Sequence, residues 1–157
     1  MDTINWNNFC GMYLLYPLLN LNDKLFKKRD SGIHDCCVYA WMYNGIVYYI
    51  GEGRVDREIK HQRDLLSRVI GPGWICIIIT SNLTKKEGCI IEAYLLRTTT
   101  RTFSTRGQYT WDGVSLINKQ REFTYKGVSY EVLFEEYLNL DNGNNYWETF
   151  RRQIDCY

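Results

Sequence analysis

CCVYAWMY (36–43) and IVYYIG (46–51), joined by Asn44-Gly45, are the stretch whose reading decides the fold. Both runs are dense in valine, isoleucine and aromatic residues, whose branched or flat side chains fit a pleated surface. Asn-Gly tolerates the positive φ that a tight turn requires, so the stretch reads as a β-hairpin. Two registers are open. With a two-residue loop, Tyr43 pairs with Ile46, and Tyr39 opposes Ile50 and faces away from Tyr49. With a three-residue loop of Tyr43, Asn44 and Gly45, Met42 pairs with Ile46 and Tyr39 lies across from Tyr49. The three-residue loop, a type I turn closed by a left-handed glycine, is common and suits Asn-Gly. We expect it, and a site that uses both tyrosines requires them on one face.

Downstream, 54–69 carries charges at helical spacing around Ile59, Leu65, Leu66 and Val69, and Gly71-Pro72-Gly73 ends that helix. WICIIIT (74–80) is continuously apolar and β-branched, the mark of a strand buried on both faces. A second helix is expected over 84–97. Thr84-Lys85-Lys86-Glu87 opens it as a capping box, and an apolar run over 89–96 follows, broken only by Glu92. TTTRTFSTRG (98–107) reads as a polar loop. Upstream, Leu14, Leu15, Leu18, Leu19 and Leu21 suggest a helix, with Pro17 in its first turn or interrupting it. The division is a helical lead-in at 1–35, a core at 36–122 and a helical tail at 123–157. The fold class is α+β: a small three-stranded, mainly antiparallel sheet with strands at 36–43, 46–51 and 74–80, flanked by helices.

At 157 residues the chain suits one globular domain, and its 45% apolar content is too high for a disordered one. Nineteen basic and eighteen acidic groups leave a net charge of +1, so any hold on nucleic acid must be local. The aromatic share is 15%, with thirteen tyrosines whose hydroxyls need partners. Six scattered cysteines without a C-x-x-C point to reduced, mostly buried thiols rather than a disulfide frame or a zinc site. No signal peptide is evident, and the apolar run 12–19 is far short of the roughly 20 residues of a membrane span. The expectation is an intracellular, cytoplasmic chain.

Glu92 is the odd residue, the only charge between Glu87 and Arg97. A buried carboxylate is costly unless a cation compensates it. The plain alternative is an exposed position on an amphipathic helix. Arg57 and His61 stand four apart, on one face of the expected helix. Arginine can fork a phosphate and histidine can carry a proton near neutral pH, although surface helices often hold both. Tyr39 and Tyr49 have a structural alternative too, as a cross-strand aromatic pair stabilising the sheet by roughly 0.2–1 kcal/mol.

Val38-Tyr39, followed ten residues after Tyr39 by Tyr49-Ile50-Gly51, resembles the paired signature of the GIY-YIG nuclease superfamily. Cys37-Val38-Tyr39 stands where the family often has Gly-Ile-Tyr, a departure that spares the tyrosine. Arg57, His61, Glu92 and Asn118 match the family's arginine, histidine, glutamate and asparagine in order and spacing, over roughly residues 36–120. The resemblance implies a metal-dependent DNA endonuclease, with one Mg2+ or Mn2+ ion held by Glu92. Tyr39 is then the candidate general base, which would need a pKa lowered by nearby positive charge. Arg57 stabilises the phosphate, His61 carries the proton or acts as base, Tyr49 orients, and Asn118 supports the site.

Positive charge for double-stranded DNA could come from Arg54 and Lys60 on the first helix, or from Arg97, Arg101 and Arg106 in and beside the polar loop, which lacks acids. The tail resembles, weakly, the modular motifs beside homing endonucleases: a strand piece at 125–130, a helix at 130–138, and a helix at 146–154 with Arg151 and Arg152. Acids outnumber bases there, which also fits simple packing on the core. The expectation is a site-directed endonuclease of homing or phage type. A restriction or genome-degrading nuclease and a non-cleaving DNA-binding module on the same fold are the alternatives. One site per chain leaves nicking, or a homodimer for double cuts.

Overall fold

The computed structural model describes residues 13–15, 22–43, 46–54, 75–99, 110–111, 114–115 and 124–140. Strands β1 (Tyr13–Leu15), β2 (Cys36–Tyr43), β3 (Ile46–Arg54) and β4 (Ile75–Leu83) form one sheet in the order β1-β4-β2-β3. β2 runs antiparallel to both β3 and β4, so the three expected strands form an antiparallel unit. β3 and β4 extend further than their apolar runs, through Glu52, Gly53 and Arg54 and through Ser81, Asn82 and Leu83. The class is α+β.

β1 corrects the expectation of a helix from Leu14. Tyr13, Leu14 and Leu15 pair in parallel with Ile75, Cys76 and Ile77 and give β4 a neighbour on its second side. Leucine spacing carried no warning of this, because the pairing partner lies far along the chain and local propensity yields to tertiary contact. A four-residue helix α1 (Asn22–Leu25) follows. Leu18, Leu19 and Leu21 lie outside the described residues. The helix expected over 54–69 is corrected at its start, because Arg54 is the last residue of β3, and residues 55–69 lie outside the described residues.

The hairpin register also differs from expectation near its turn. Tyr43 pairs with Ile46 and Met42 with Val47, which are the pairs of a two-residue loop. A bulge then intervenes. Trp41 pairs with Tyr49, Ala40 with Ile50 and Tyr39 with Gly51, leaving Tyr48 as the extra residue. A bulge puts two residues of one strand opposite one of the other and shifts the alternation by one. Val47 and Ile50 thereby reach the same core, and Tyr49 joins Tyr39 and Trp41 on the other face.

Both faces of the sheet are covered. Val38, Ala40, Met42, Ile77 and Ile79 pack into the main core, while Cys37, Tyr39, Trp41, Cys76 and Ile78 alternate away from it and are equally buried. That explains apolar runs without polar alternation.

Helix α2 (Lys85–Thr99) crosses the core face against β2 and β3. Its expected capping box is present: the Glu87 amide donates to Thr84 Oγ1 at 3.1 Å, and the Thr84 amide donates to Glu87 Oε1 at 3.0 Å. Residues 87–93 are all buried, so the helix is central rather than amphipathic. Short hairpins β5–β6 (Thr110–Trp111, Val114–Ser115) and β7–β8 (Thr124–Tyr125, Val128–Ser129) follow, and then helix α3 (Tyr130–Tyr137). Leu133, Phe134 and Tyr137 of α3 belong to the same core, and Phe134 meets Tyr94 edge to face at 5.2 Å. The first helix of the tail is therefore packed on α2. Lys27 and Asn139 tie the lead-in to the tail through backbone bonds to Tyr137 and Leu25. Among the described residues, no helix is long and apolar enough to cross a membrane.

Candidate functional site

Strand alternation builds the site. Tyr39 on β2 sits opposite Gly51, and Trp41, two residues on, sits opposite Tyr49. Period two places all four positions on one face. The Tyr39 and Tyr49 rings stack with centroids 6.3 Å apart and planes 27° apart. They meet over Gly51. A Cβ there would stand 2.6 Å from Tyr49 Cε1 and 2.7 Å from both Cζ and Oη of Tyr39. The glycine of the second motif is thus the floor on which the two tyrosines close, a role its place in the sequence motif did not reveal.

Glu92 projects from the third turn of α2 and is 1% exposed, which excludes the exposed-helix alternative. Tyr39 is itself 1% exposed. Burial pushes its pKa well above the usual tyrosine range, and Tyr49, Cys76, Cys37 and Glu92 push the same way. That is opposite to the lowered pKa a tyrosine general base needs. The positive charge that the base role calls for would come from Arg57 and His61, which lie outside the described residues.

Trp41 is the group that sequence reasoning passed over. Its ring is 1% exposed and its Nε1 is a buried donor with no hydrogen-bond partner. Its offset of two from Tyr39 was the available signal.

Arg57, His61 and Asn118 lie outside the described residues, as do Lys60, Arg101, Arg106, Arg151 and Arg152. Arg54 faces Asp35, with Nε 3.8 Å from Oδ2, both half exposed. Arg97 has a different setting from an open phosphate contact. It pairs with Glu131 and lies 5.5 Å from the centroids of both Tyr130 and Phe134, with little exposure.

Two further carboxylates are buried on the core face of the sheet, beside α2. Glu52 receives a bond from Lys85, while its Oε2 is buried without a hydrogen-bond partner beside Gly88. Glu87, fully buried, is held by the Arg29 guanidinium, with Nε at 2.5 Å from Oε2 and Nη2 at 3.1 Å from Oε1. The Asp30 amide adds a bond at 3.2 Å. Burial pushes the Glu87 carboxyl upward, but Arg29 and the amides of Thr84 and Asp30 outweigh it and hold its pKa below the ordinary range. Glu87 is thus both a cap and a buried ion-pair partner.

Among the described residues, no group of three or more histidine, cysteine, aspartate or glutamate side chains is placed to hold a metal ion. The donors this reading offers are the buried Glu92 carboxylate of α2 and the tyrosine hydroxyls. This hard oxygen set fits Mg2+ or Mn2+, ions that take one or two protein carboxylates and keep several waters. No family model, curated protein or solved structure matches the chain.

Proposed function

We propose that this chain is a metal-dependent DNA endonuclease of the GIY-YIG type, probed first as a site-directed enzyme of homing or phage kind on double-stranded DNA. The observation that carries the reading is the closure of Tyr39 and Tyr49 over Gly51, with the Glu92 carboxylate buried in the helix packed on the same sheet and its charge acting on Tyr39. Cross-strand packing alone accounts for the tyrosines but not for a carboxylate buried at 1% exposure in an apolar helix.

In this reading Glu92 holds the divalent ion, which supplies Lewis-acid stabilisation of the phosphate and the leaving oxygen. Arg57 grips a non-bridging phosphate oxygen and favours the more negative transition state. Water oxygen bonds to phosphorus as the ester P–O bond breaks in line. His61 takes the proton from the attacking water, the second of the two base assignments the sequence left open. Tyr39, neutral because of its burial, orients that water through its hydroxyl. Tyr49 fixes the Tyr39 ring, and Asn118 supports the site through hydrogen bonding.

The second reading is a DNA-binding module that does not cut. The 1% exposure of both Tyr39 and Glu92 favours it, because a phosphate must reach them. Plasmid nicking in Mg2+ or Mn2+ separates the two. Cleavage that EDTA abolishes, and that falls by about 100-fold or more in Glu92→Gln and Arg57→Ala, supports the nuclease. Folded protein that shifts DNA in a gel but leaves every substrate intact with either ion supports the module. Product ends then distinguish a long defined site from restriction or scattered nicking, and sedimentation of the active form tests the homodimer.

A further inference from the structure

Away from the tyrosine face, a cavity of about 480 Å3 opens between the start of α2 and the hairpin β7–β8. We propose that it holds one nucleotide of a nucleic-acid strand, with Lys126 on the phosphate and the Tyr125 ring against the base. This rests on the nucleic-acid reading above and extends it to a second site.

The volume lies in the range that takes a single small ligand. Lys85, Lys86 and Lys126 bring three ammonium groups to its lining, against Asp30 and Asp35. Both acids are already engaged: Asp30 Oδ2 accepts from Thr84 Oγ1 at 3.0 Å, and Asp35 faces Arg54 and the Cys36 thiol. Lys85 is engaged as well, by Glu52, and Lys86 rests 4.9 Å from the Tyr137 ring centroid. Lys126 is different. Among the described residues it forms no ion pair, and its ammonium rests 5.6 Å from the Tyr125 ring centroid. A phosphate is a stronger partner than a ring face, and moving the ammonium onto it uncovers the ring for a base.

Lys126 has φ 48, a left-handed conformation that asparagine, aspartate or glycine enters more readily. Lys126 and Gly127, both with positive φ, are the two central residues of the β7–β8 turn, and that turn is what presents Lys126 beside Tyr125. Apolar surface waits at the same mouth, with Ile33 80% and Val128 41% exposed. A base pressed against Tyr125 would cover part of it. Stacking of this kind is sequence-tolerant and strong enough to dominate single-nucleotide binding.

The test is titration of the full chain, in EDTA, with thymidine and deoxyadenosine 5′-monophosphates, using deoxyribose 5-phosphate and inorganic phosphate as comparators. The expected result is saturable binding of both nucleotides about 10-fold tighter than of the sugar phosphate, the range a stacked base contributes. Tyr125→Leu should remove that difference and leave phosphate binding unchanged. The exposed Lys126→Gln should weaken nucleotides and phosphate together, with unfolding curves confirming that both variants fold. Absence of saturable binding, equal affinity for nucleotide and sugar phosphate, or variants that bind as the parent does would overturn the proposal. Protein that binds nucleotide but never cuts DNA removes the nuclease and keeps this site. Protein that cuts but binds no nucleotide removes this site alone.

Discussion

Replacing Gly51 with alanine tests the geometry on which the candidate site depends. The added Cβ would lie 2.6 Å from Tyr49 Cε1 and 2.7 Å from Tyr39 Cζ and Oη, where ordinary contact begins at 3.4 Å. At least one ring must move by most of an ångström, and Tyr39 is 1% exposed in a strand paired on both sides. Overpacking of this kind typically costs about 1–3 kcal/mol, and two rings struck at once place it near the upper end. Alanine recovers about 0.5–1 kcal/mol because glycine loses more chain entropy on folding. The net loss is about 2 kcal/mol, roughly a 30-fold drop in the folding constant. For a chain of 157 residues this corresponds to a Tm lower by about 4–8 °C. Urea unfolding followed by intrinsic fluorescence measures it, with an unchanged slope showing that the unfolded state is unaltered. A Gly51→Ala protein as stable as the parent would refute the wedge of two rings over a bare backbone.

Four further outcomes follow from other parts of the fold. Gly127→Ala, at φ 81 with nothing near the new Cβ, should cost about 1 kcal/mol from backbone strain alone, measured by the same unfolding curves. Arg29→Ala removes the fork from a fully buried Glu87 and should destabilise by about 2–3 kcal/mol; the partial exposure of Arg29 keeps the loss below that of a wholly buried pair. Glu87 has a lowered folded pKa, so its ion pair stabilises fully above its unfolded pKa of about 4.3 and loses that contribution as pH falls through the folded value. Stability from pH 7 to 5 should therefore show no Glu87 term, and below about pH 4 the parent should lose stability more steeply than Glu87→Gln. Burial pushes the Cys36 thiol up to about 12, so alkylation at pH 8, mapped by mass spectrometry, should spare Cys36 in the native protein and reach it in urea.

The antiparallel unit was legible because its signals are local. Asn44-Gly45, the β-branched run of β4, the Thr84–Glu87 box and the helix beginning at Tyr130 all act within a few residues. β1 was not legible, since three residues beside β4 gain their conformation from a partner some sixty positions away. Tyr39, Tyr49 and Glu92 could be named from spacing, but their environment could not. Burial decides the Tyr39 pKa, and burial is a property of the whole fold rather than of its neighbours in sequence. Arg97 illustrates the same limit: nothing in its acid-free stretch pointed to Glu131 and the two aromatic rings that the fold sets beside it.

The bulge at Tyr48 makes β3 two segments of opposite phase. Removing Tyr48 would let Tyr49 follow Val47 directly, and Trp41–Tyr49, Ala40–Ile50 and Tyr39–Gly51 would all remain partners. The interval of ten between the two tyrosines is therefore not a length the site requires. What it requires is that both rings end on one side of the sheet, and an interval of nine would meet that as well. The bulge works like a slipped tooth in a zip, absorbing one surplus residue so that everything on the far side still closes in step.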